Sequence, residues 1–377
     1  MSIAGVYCCY KHMMRRKSME IFIFIMAIFA FIGLVDYTFN LGLGLAKEFE
    51  KGLNTMGGLA LSVVGFYAIG VSFVQNNAEQ IAALTKNIPF DPSLIIGSLL
   101  APDMGAMGIA TNVAATPQLA VFSGALVAGG LGATIGYQLP VFLAAVQKDE
   151  IPDLMQGFIC GIIPLPVGLF IGGMMLGVPM NALIVNMIPV TILCVVLILA
   201  VAFAPNATTK VLTFFGNFIR VISYIFFAVT VFGVFMPQYS PVNLDLVPEI
   251  LYMIFRMVIV ACGGLVLSKI ILTKFPQQIA KVGEKIHINN HSVVGVILSF
   301  VQSLAMLPVF SQMDSRGKVV NAAFSVCGAY VIGGQLAFVA SICTPYQTAA
   351  YMTNKLVSGF LGIAIALFVC RKKDRQV

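Results

Sequence analysis

Apolar stretches close to twenty residues long recur through this chain with hardly a charge inside them, as in Glu20–Val35, Met187–Phe203 and the run that closes with Phe360–Cys370. About twenty apolar residues, each rising about 1.5 Å, cross a hydrocarbon core of about 30 Å. Inside such a core the backbone must satisfy its own hydrogen bonds, which leaves helices or closed barrels. Barrel strands alternate in polarity over about ten residues, and these runs do not alternate. The fold class is therefore all-α, a polytopic helical membrane protein. Charged residues make up 10% of the chain against about a quarter in soluble domains, too few to clothe a globule in water.

The pattern predicts apolar helical segments at 19–40, 56–75, 92–115, 118–147, 153–177, 181–204, 211–236, 250–272, 291–310, 319–342 and 345–370. Residues 41–55 mix Leu and Phe with Lys47, Glu48, Glu50 and Lys51, the pattern of a short interfacial amphipathic helix. The connectors are short, and 274–291 reads as a polar one. The formal net charge of +7 is concentrated at the ends, in Lys11, Arg15, Arg16 and Lys17 and in Arg371, Lys372, Lys373 and Arg375. Basic flanks lie on the cytoplasmic side of a membrane, so both ends are expected there, in a multi-pass protein of the cytoplasmic membrane. A basic face that could track nucleic acid is lacking. Eight cysteines are scattered without a CxxC pair, and inside apolar segments cysteine acts as a small hydrophobe.

Two segments break the helical pattern. Residues 92–115 contain Pro102-Asp103-Met104-Gly105, and 291–310 contain Gln302-Ser303 ahead of Pro308. Proline removes a helix donor and glycine loosens the backbone, so broken or re-entrant helices are expected at both. The surroundings repeat. Ile135-Gly136-Tyr137-Gln138-Leu139 is echoed by Ile332-Gly333-Gly334-Gln335-Leu336, with 335 − 138 = 197, and Ser93…Gly97 by Ser292…Gly295, with 292 − 93 = 199. The expected organisation is one membrane domain over 1–377: basic flank 1–18, N-terminal spans and interfacial helix 19–90, first repeat 91–204, connecting spans 205–287, second repeat 288–370, and basic tail 371–377. Duplicated halves with interrupted helices point to a transporter site at their interface.

Asp103 is the sharpest single signal, because a carboxylate in mid-membrane costs about 2.5–3.5 kcal/mol on insertion scales. It is either an anionic site for a cation or a cap on the amides of Gly105 or Ala106. Met104 and Gly105 flank it. Gln138 and Gln335 hold matching places in the two halves, and Thr134, Asn186, Gln302 and Asn321 add polar groups inside apolar segments. Each of these side chains serves equally well as interhelical glue or as ligand contact. Tyr137 offers an aromatic face to a cation. Asp314 and Arg316, in the connector MDSRGKV, read as a structural ion pair. His12, His287 and His291 lie in polar flanks, and no phosphate loop or dinucleotide fingerprint occurs. A metal, a cofactor or an intramembrane enzyme has no constellation to build on. Self-association stays open.

The segments DPSLIIGSLLAPDMG (91–105), LPVGLFIGG (165–173), NMIP (186–189) and QMDSRGKVVNAAFSV (312–326) resemble the ethanolamine permease family of bacterial ethanolamine-utilisation operons, in order from residue 19 to the C-terminus. The resemblance implies an inner-membrane carrier or facilitator for ethanolamine, a small cationic amine. Asp36, Asp103, Thr134, Asn186, Asp314 and Arg316 match the family pattern. Gly334 and Gln335 replace an acid and a histidine of that pattern, Gln302 and Ser303 replace paired asparagines, and Gln138 stands for a smaller polar residue. A non-transporting sensor or a subunit of a membrane assembly is the alternative.

Overall fold

The computed structural model describes residues 24–77, 80, 88–139, 141–142, 146–240 and 242–373, and every regular element among them is helical. Four helices are long and apolar enough to cross a membrane, Ile151–Met175, Met180–Phe203, Leu246–Lys274 and Pro345–Arg371. Shorter apolar helices lie at Phe24–Phe39, Pro117–Gly132, Val221–Phe235 and Asn290–Val301. Ile184, Ile188, Ile192, Val196 and Leu199 of Met180–Phe203 all point outward. Spaced three or four apart, they form a continuous apolar stripe that suits lipid and not water. The chain is a polytopic helical membrane protein.

Helix α1 (Phe24–Phe39) turns into α2 (Ala46–Asn76) through Asn40, Gly42 and Gly44, all with positive φ. Asp36 holds that turn. Its carboxylate accepts the backbone N–H groups of Leu43 (3.0 Å), Leu45 (2.8 Å) and Ala46 (2.9 Å), which satisfies orphan donors at the start of α2. The separate interfacial helix expected over 41–55 is not formed. Its first residues are the turn and the rest begin α2, where Phe49 is buried and accepts from the Cys262 thiol at 3.5 Å. Packing against a neighbouring helix, not the lipid surface, takes its apolar side.

Both predicted breaks are present, and at each the chain turns back on itself. Helix α3 (Ser93–Leu99) stops at Leu100, a 3₁₀ turn follows over Pro102–Met104, and α4 (Ala106–Val113) runs back. Gly105 links the turn to α4 with φ 94°, a left-handed conformation that glycine alone adopts without strain. The mouth of this hairpin is closed by Asp91, which accepts the N–H and hydroxyl of Ser93 on one oxygen and the N–H of Ala115 (2.8 Å) on the other. The chain thus leaves beside the point where it came in.

Helix α5 follows. It starts at Pro117–Val121, widens into a π-helical stretch over Phe122–Gly132 and continues through Thr134–Gln138. Phe122 to Gly132 are all buried, so α5 is the central post. At Gly132 a Cβ would meet the backbone carbonyls of Leu100 and Gly97, so only a missing side chain lets the first hairpin lie on this helix. Then come α6 (Ile151–Ile162), α7 (Leu165–Met175), α8 (Met180–Phe203), α9 (Pro205–Phe235) and α10 (Leu246–Lys274). The segment read as a polar connector at 274–291 is largely a helix, α11 (Pro276–Ile286). Ile279 and Gly283 face inward while Lys281, Val282 and Lys285 stay exposed, so the amphipathic helix of this chain lies here and not at 41–55.

The second hairpin repeats the first with one exchange. Helix α12 (Asn290–Val301) stops at Gln302, whose backbone is extended (φ −155°, ψ 124°). A 3₁₀ turn over Ser303–Met306 and a short α13 (Leu307–Phe310) bring the chain back. Its mouth is closed by Asp314, which accepts Asn289 N (2.9 Å) and Ser292 Oγ (2.8 Å) on one oxygen and Gly317 N (3.3 Å) on the other. In the first hairpin the carboxylate stands on the incoming limb; in the second it stands on the outgoing one. Helices α14 (Ser315–Cys327), α15 (Gly334–Ile342) and α16 (Pro345–Lys373) complete the fold. Between α14 and α15 the backbone is unwound. Tyr330 N and Ile332 N donate to Ser299 O (3.1 Å) and Phe300 O (2.8 Å), so this segment supplies donors to the orphan carbonyls in the last turn of α12.

Candidate functional site

The turn of the first hairpin packs against α2, α5 and the start of α15. Asp103 lies in it, half-buried, and its Oδ1 is fully buried with no hydrogen-bond partner among the described residues. The capping account of Asp103 fails. Ala106 N donates to Ala101 O at 3.4 Å and Met104 N to the same carbonyl at 3.0 Å, and the N-terminus of α4 has no side-chain cap. A carboxylate oxygen kept away from water without a donor is costly, so it belongs to a group that something else is meant to meet.

Close to it is a residue the sequence analysis passed over. Lys355 of α16 is 1% exposed. Its Nζ donates to Gly129 O of α5 at 2.6 Å and stands 5.6 Å from the ring centres of both Tyr330 and Tyr351. The hairpin turn that carries Asp103 packs on the stretch of α5 that holds Gly129 and on α15, which holds Gln335. Tyr351 donates its hydroxyl to Gln335 Oε1 (3.2 Å), and the Tyr330 hydroxyl shares a hydrogen bond of 2.7 Å with Ser303 Oγ. Tyr330 itself is held at φ 66°, an uncommon value for a bulky residue. The cluster thus draws on the first hairpin turn (Asp103), the second (Ser303), the unwound segment (Tyr330), α15 (Gln335), α16 (Tyr351, Lys355) and α5 (Gly129 O). A carbonyl and two aromatic faces around one ammonium, with a carboxylate on the hairpin turn packed against the same helices, are the elements of an ammonium site.

The other sequence candidates divide. Met104 and Gly105 form the hairpin turn with Asp103, and Gln302 lies at the break of the second hairpin, directly before Ser303. Gln138 is fully buried with neither amide atom partnered among the described residues, and no described contact links it to Asp103. Thr134 bonds within its own helix, to Gly130 O at 2.7 Å. Asn186 accepts Asp91 N (2.7 Å) and donates to Ala182 O (2.8 Å), bracing α8 against the mouth of the first hairpin. Asn321 donates to Ser292 O (2.8 Å) and Gly317 O (2.9 Å), which ties α14 to the mouth of the second. The side chain of Tyr137 lies outside the described residues. The carboxylate of Asp314 caps α14 and closes the second hairpin. Nearby, Lys318 forms an ion pair with Glu150 at 2.9 Å.

Lys355 carried a signal that a finer reading finds. Thr348, Tyr351, Lys355 and Ser358 recur at three- and four-residue steps within an otherwise apolar helix, one polar stripe facing inward, and all four are buried. Averaged over the segment, that stripe disappears into the hydropathy.

Residues 19–369 match the family described as "EutH: Ethanolamine utilisation protein, EutH". The chain is 27% identical over 362 residues, 95% of either chain, to "Probable ethanolamine permease EutH" of Listeria monocytogenes. It is 26% identical over 393 residues to the protein of the same name from Salmonella typhimurium, covering 94% of this chain and 96% of that one. A similar match, 26% over 351 residues, is to "Uncharacterized protein YxeR" of Bacillus subtilis, covering 92% and 94%. No solved structure matches.

Proposed function

The chain belongs to the EutH ethanolamine-utilisation family, and from that premise we propose that it is a carrier or facilitator that takes ethanolamine, or a close amino alcohol, across the cytoplasmic membrane. The observation that carries this reading is Asp103 Oδ1, buried at the tip of a re-entrant hairpin without a hydrogen-bond partner among the described residues. A protonated amine supplies the missing donor and the opposite charge together, and charge-assisted hydrogen bonds of this kind are the strong ones. Gln335 and Ser303 stand within the same cluster and have the hydrogen-bonding capacity to hold a hydroxyl. The names of the Listeria and Salmonella relatives point to the same substrate.

The two hairpins belong to halves related by inversion in the membrane. Each half runs a hairpin and then two further helical passes, α5 and α6 with α7 over 93–175, and α14 with α15 and then α16 over 290–373, with 290 − 93 = 197 and 315 − 117 = 198 between corresponding starts. Between the two mouths the chain runs through α5, α6 with α7, α8, α9 and α10. That is five crossings, an odd number, so the mouths open to opposite faces while the tips converge near Asp103. Inverted halves with broken helices at their interface are the arrangement that alternating access uses.

Uptake of labelled ethanolamine into vesicles that hold the purified protein tests the proposal. Uptake above protein-free vesicles, competed by unlabelled ethanolamine and not by ethylene glycol, which lacks the ammonium, is the expected result. Equal uptake with and without protein rejects it.

A further inference from the structure

Lys355 is a buried cation with no evident place in a site built for another cation. It is 1% exposed, its Nζ is held by Gly129 O at 2.6 Å, and it lies 5.6 Å from each of two tyrosine rings. An incoming primary ammonium needs the same surroundings: a carboxylate, a carbonyl and aromatic faces. The titratable groups that face Lys355 are Asp103 of the first hairpin, Cys327 at the end of α14, Tyr330 of the unwound segment and Tyr351 one turn away on its own helix. Among the described residues, Asp103 is the carboxylate of this set. With Lys355 charged the site is neutral, and a second cation would leave one positive charge uncompensated in a low-dielectric interior, where such a charge is very expensive.

We propose that Lys355 is the resident counter-ion of Asp103 and that a substrate ammonium displaces its proton rather than joining it. The inference rests on the amine-carrier reading above and adds its coupling. The step balances. The amine binds Asp103 as a cation; one N–H bond of the Lys355 ammonium breaks, its electron pair stays on Nζ, and the proton passes to water. Carboxylate and ammonium still balance, the ammonium now being the substrate's. One cation in and one proton out makes the carrier an amine–proton exchanger, with Nζ left as a neutral amine against Gly129 O. Lysine can make this exchange because it can shed its proton in a buried site; arginine cannot.

The experiment is a proton count. Purified full-length protein in detergent, in weak buffer with a pH indicator, is titrated with ethanolamine while binding is followed separately with labelled ethanolamine. The wild type is expected to release about one proton per amine bound, and its apparent affinity to strengthen about tenfold per pH unit while Lys355 starts protonated. Lys355→Gln is expected to bind ethanolamine with no proton release and no pH dependence. Lys355→Arg, which keeps the charge, is expected to lose binding, whereas a lysine needed only to brace the fold through its charge would be rescued by arginine. Wild-type binding without proton release, or Lys355→Arg binding as wild type, overturns the exchange and leaves the amine carrier standing. If the wild type does not bind ethanolamine at all, the carrier reading falls and the exchange falls with it. The wild-type proton count decides even if neither variant folds.

Discussion

Replacing Asp314 by alanine opens the mouth of the second hairpin, and the structure sets the scale of the loss. The carboxylate does three things: it caps α14 through Gly317 N, and it accepts Asn289 N and Ser292 Oγ. Loss of a helix N-cap costs about 1 kcal/mol. Two further hydrogen bonds to a charged acceptor are worth about 1.5–3 kcal/mol each when fully buried, but these are half-buried and Ser292 Oγ keeps a second acceptor, Asn289 Oδ1, at 2.7 Å. The expected total is about 2–3 kcal/mol, with the lower value favoured because Asn289 Nδ2 still reaches Gln312 O across the mouth at 2.8 Å. Asparagine keeps one acceptor oxygen but turns its NH₂ group toward Gly317 N, so Asp314→Asn is placed between wild type and alanine. Reversible unfolding of the purified protein in mixed micelles, titrated with SDS, reads these differences. The paired test is Asp91→Ala in the first hairpin, where three bonds are also lost; the two sites share no partner, so their losses are expected to add. Alanine at 314 with unchanged stability, or an asparagine variant weaker than the alanine one, would refute the idea that a carboxylate closes each hairpin.

Three further outcomes follow from the same geometry. Gly132→Val is expected to destabilise by more than about 1–3 kcal/mol and to abolish uptake, because its side chain would meet the Leu100 and Gly97 carbonyls; normal uptake by a stable Gly132→Val protein would show that the first hairpin does not rest on α5. Single cysteines at Thr116 and Asn290, in a background without native cysteines, are expected to react with a membrane-impermeant thiol reagent from opposite faces of sealed vesicles, and labelling of both from one face removes the inverted arrangement. Glu150→Gln is expected to cost about 3–5 kcal/mol, as removal of one partner does for a buried pair, since the Lys318 and Glu150 side chains are 14% and 5% exposed; a cost below about 1 kcal/mol in the same SDS titration would make the pair a surface contact.

What could be read in advance depended on the range of the forces involved. The membrane class followed from apolar runs alone, because bilayer thickness is a single length imposed on every span. The first break was legible too: Pro102 and Gly105 bound the turn between α3 and α4. The second break falls at Gln302–Met306, while Pro308 begins the returning α13, so proline there marked the restart and not the stop. Residues 41–55 misled because their charges mimic an interfacial helix, while the contact that absorbs Phe49 comes from Cys262, more than two hundred positions away. Asn186 misled for the same reason, since its partner Asp91 is distant in sequence. Lys355 was hidden differently. A single lysine scarcely lowers the mean hydropathy of its helix, and only the inward stripe shared with Thr348, Tyr351 and Ser358 marks it. Two of the positions where this chain differs from the pattern it resembles, Ser303 and Gln335, meet again in that cluster.

The central claim is that Asp103 is the partner of the substrate's ammonium. Equilibrium binding of labelled ethanolamine to the purified protein, wild type against Asp103→Asn, tests it most directly, because asparagine keeps the size and one acceptor and removes only the charge. The account predicts binding weaker by at least about thirtyfold, equivalent to about 2 kcal/mol. An Asp103→Asn protein that binds ethanolamine as tightly as the wild type would contradict it.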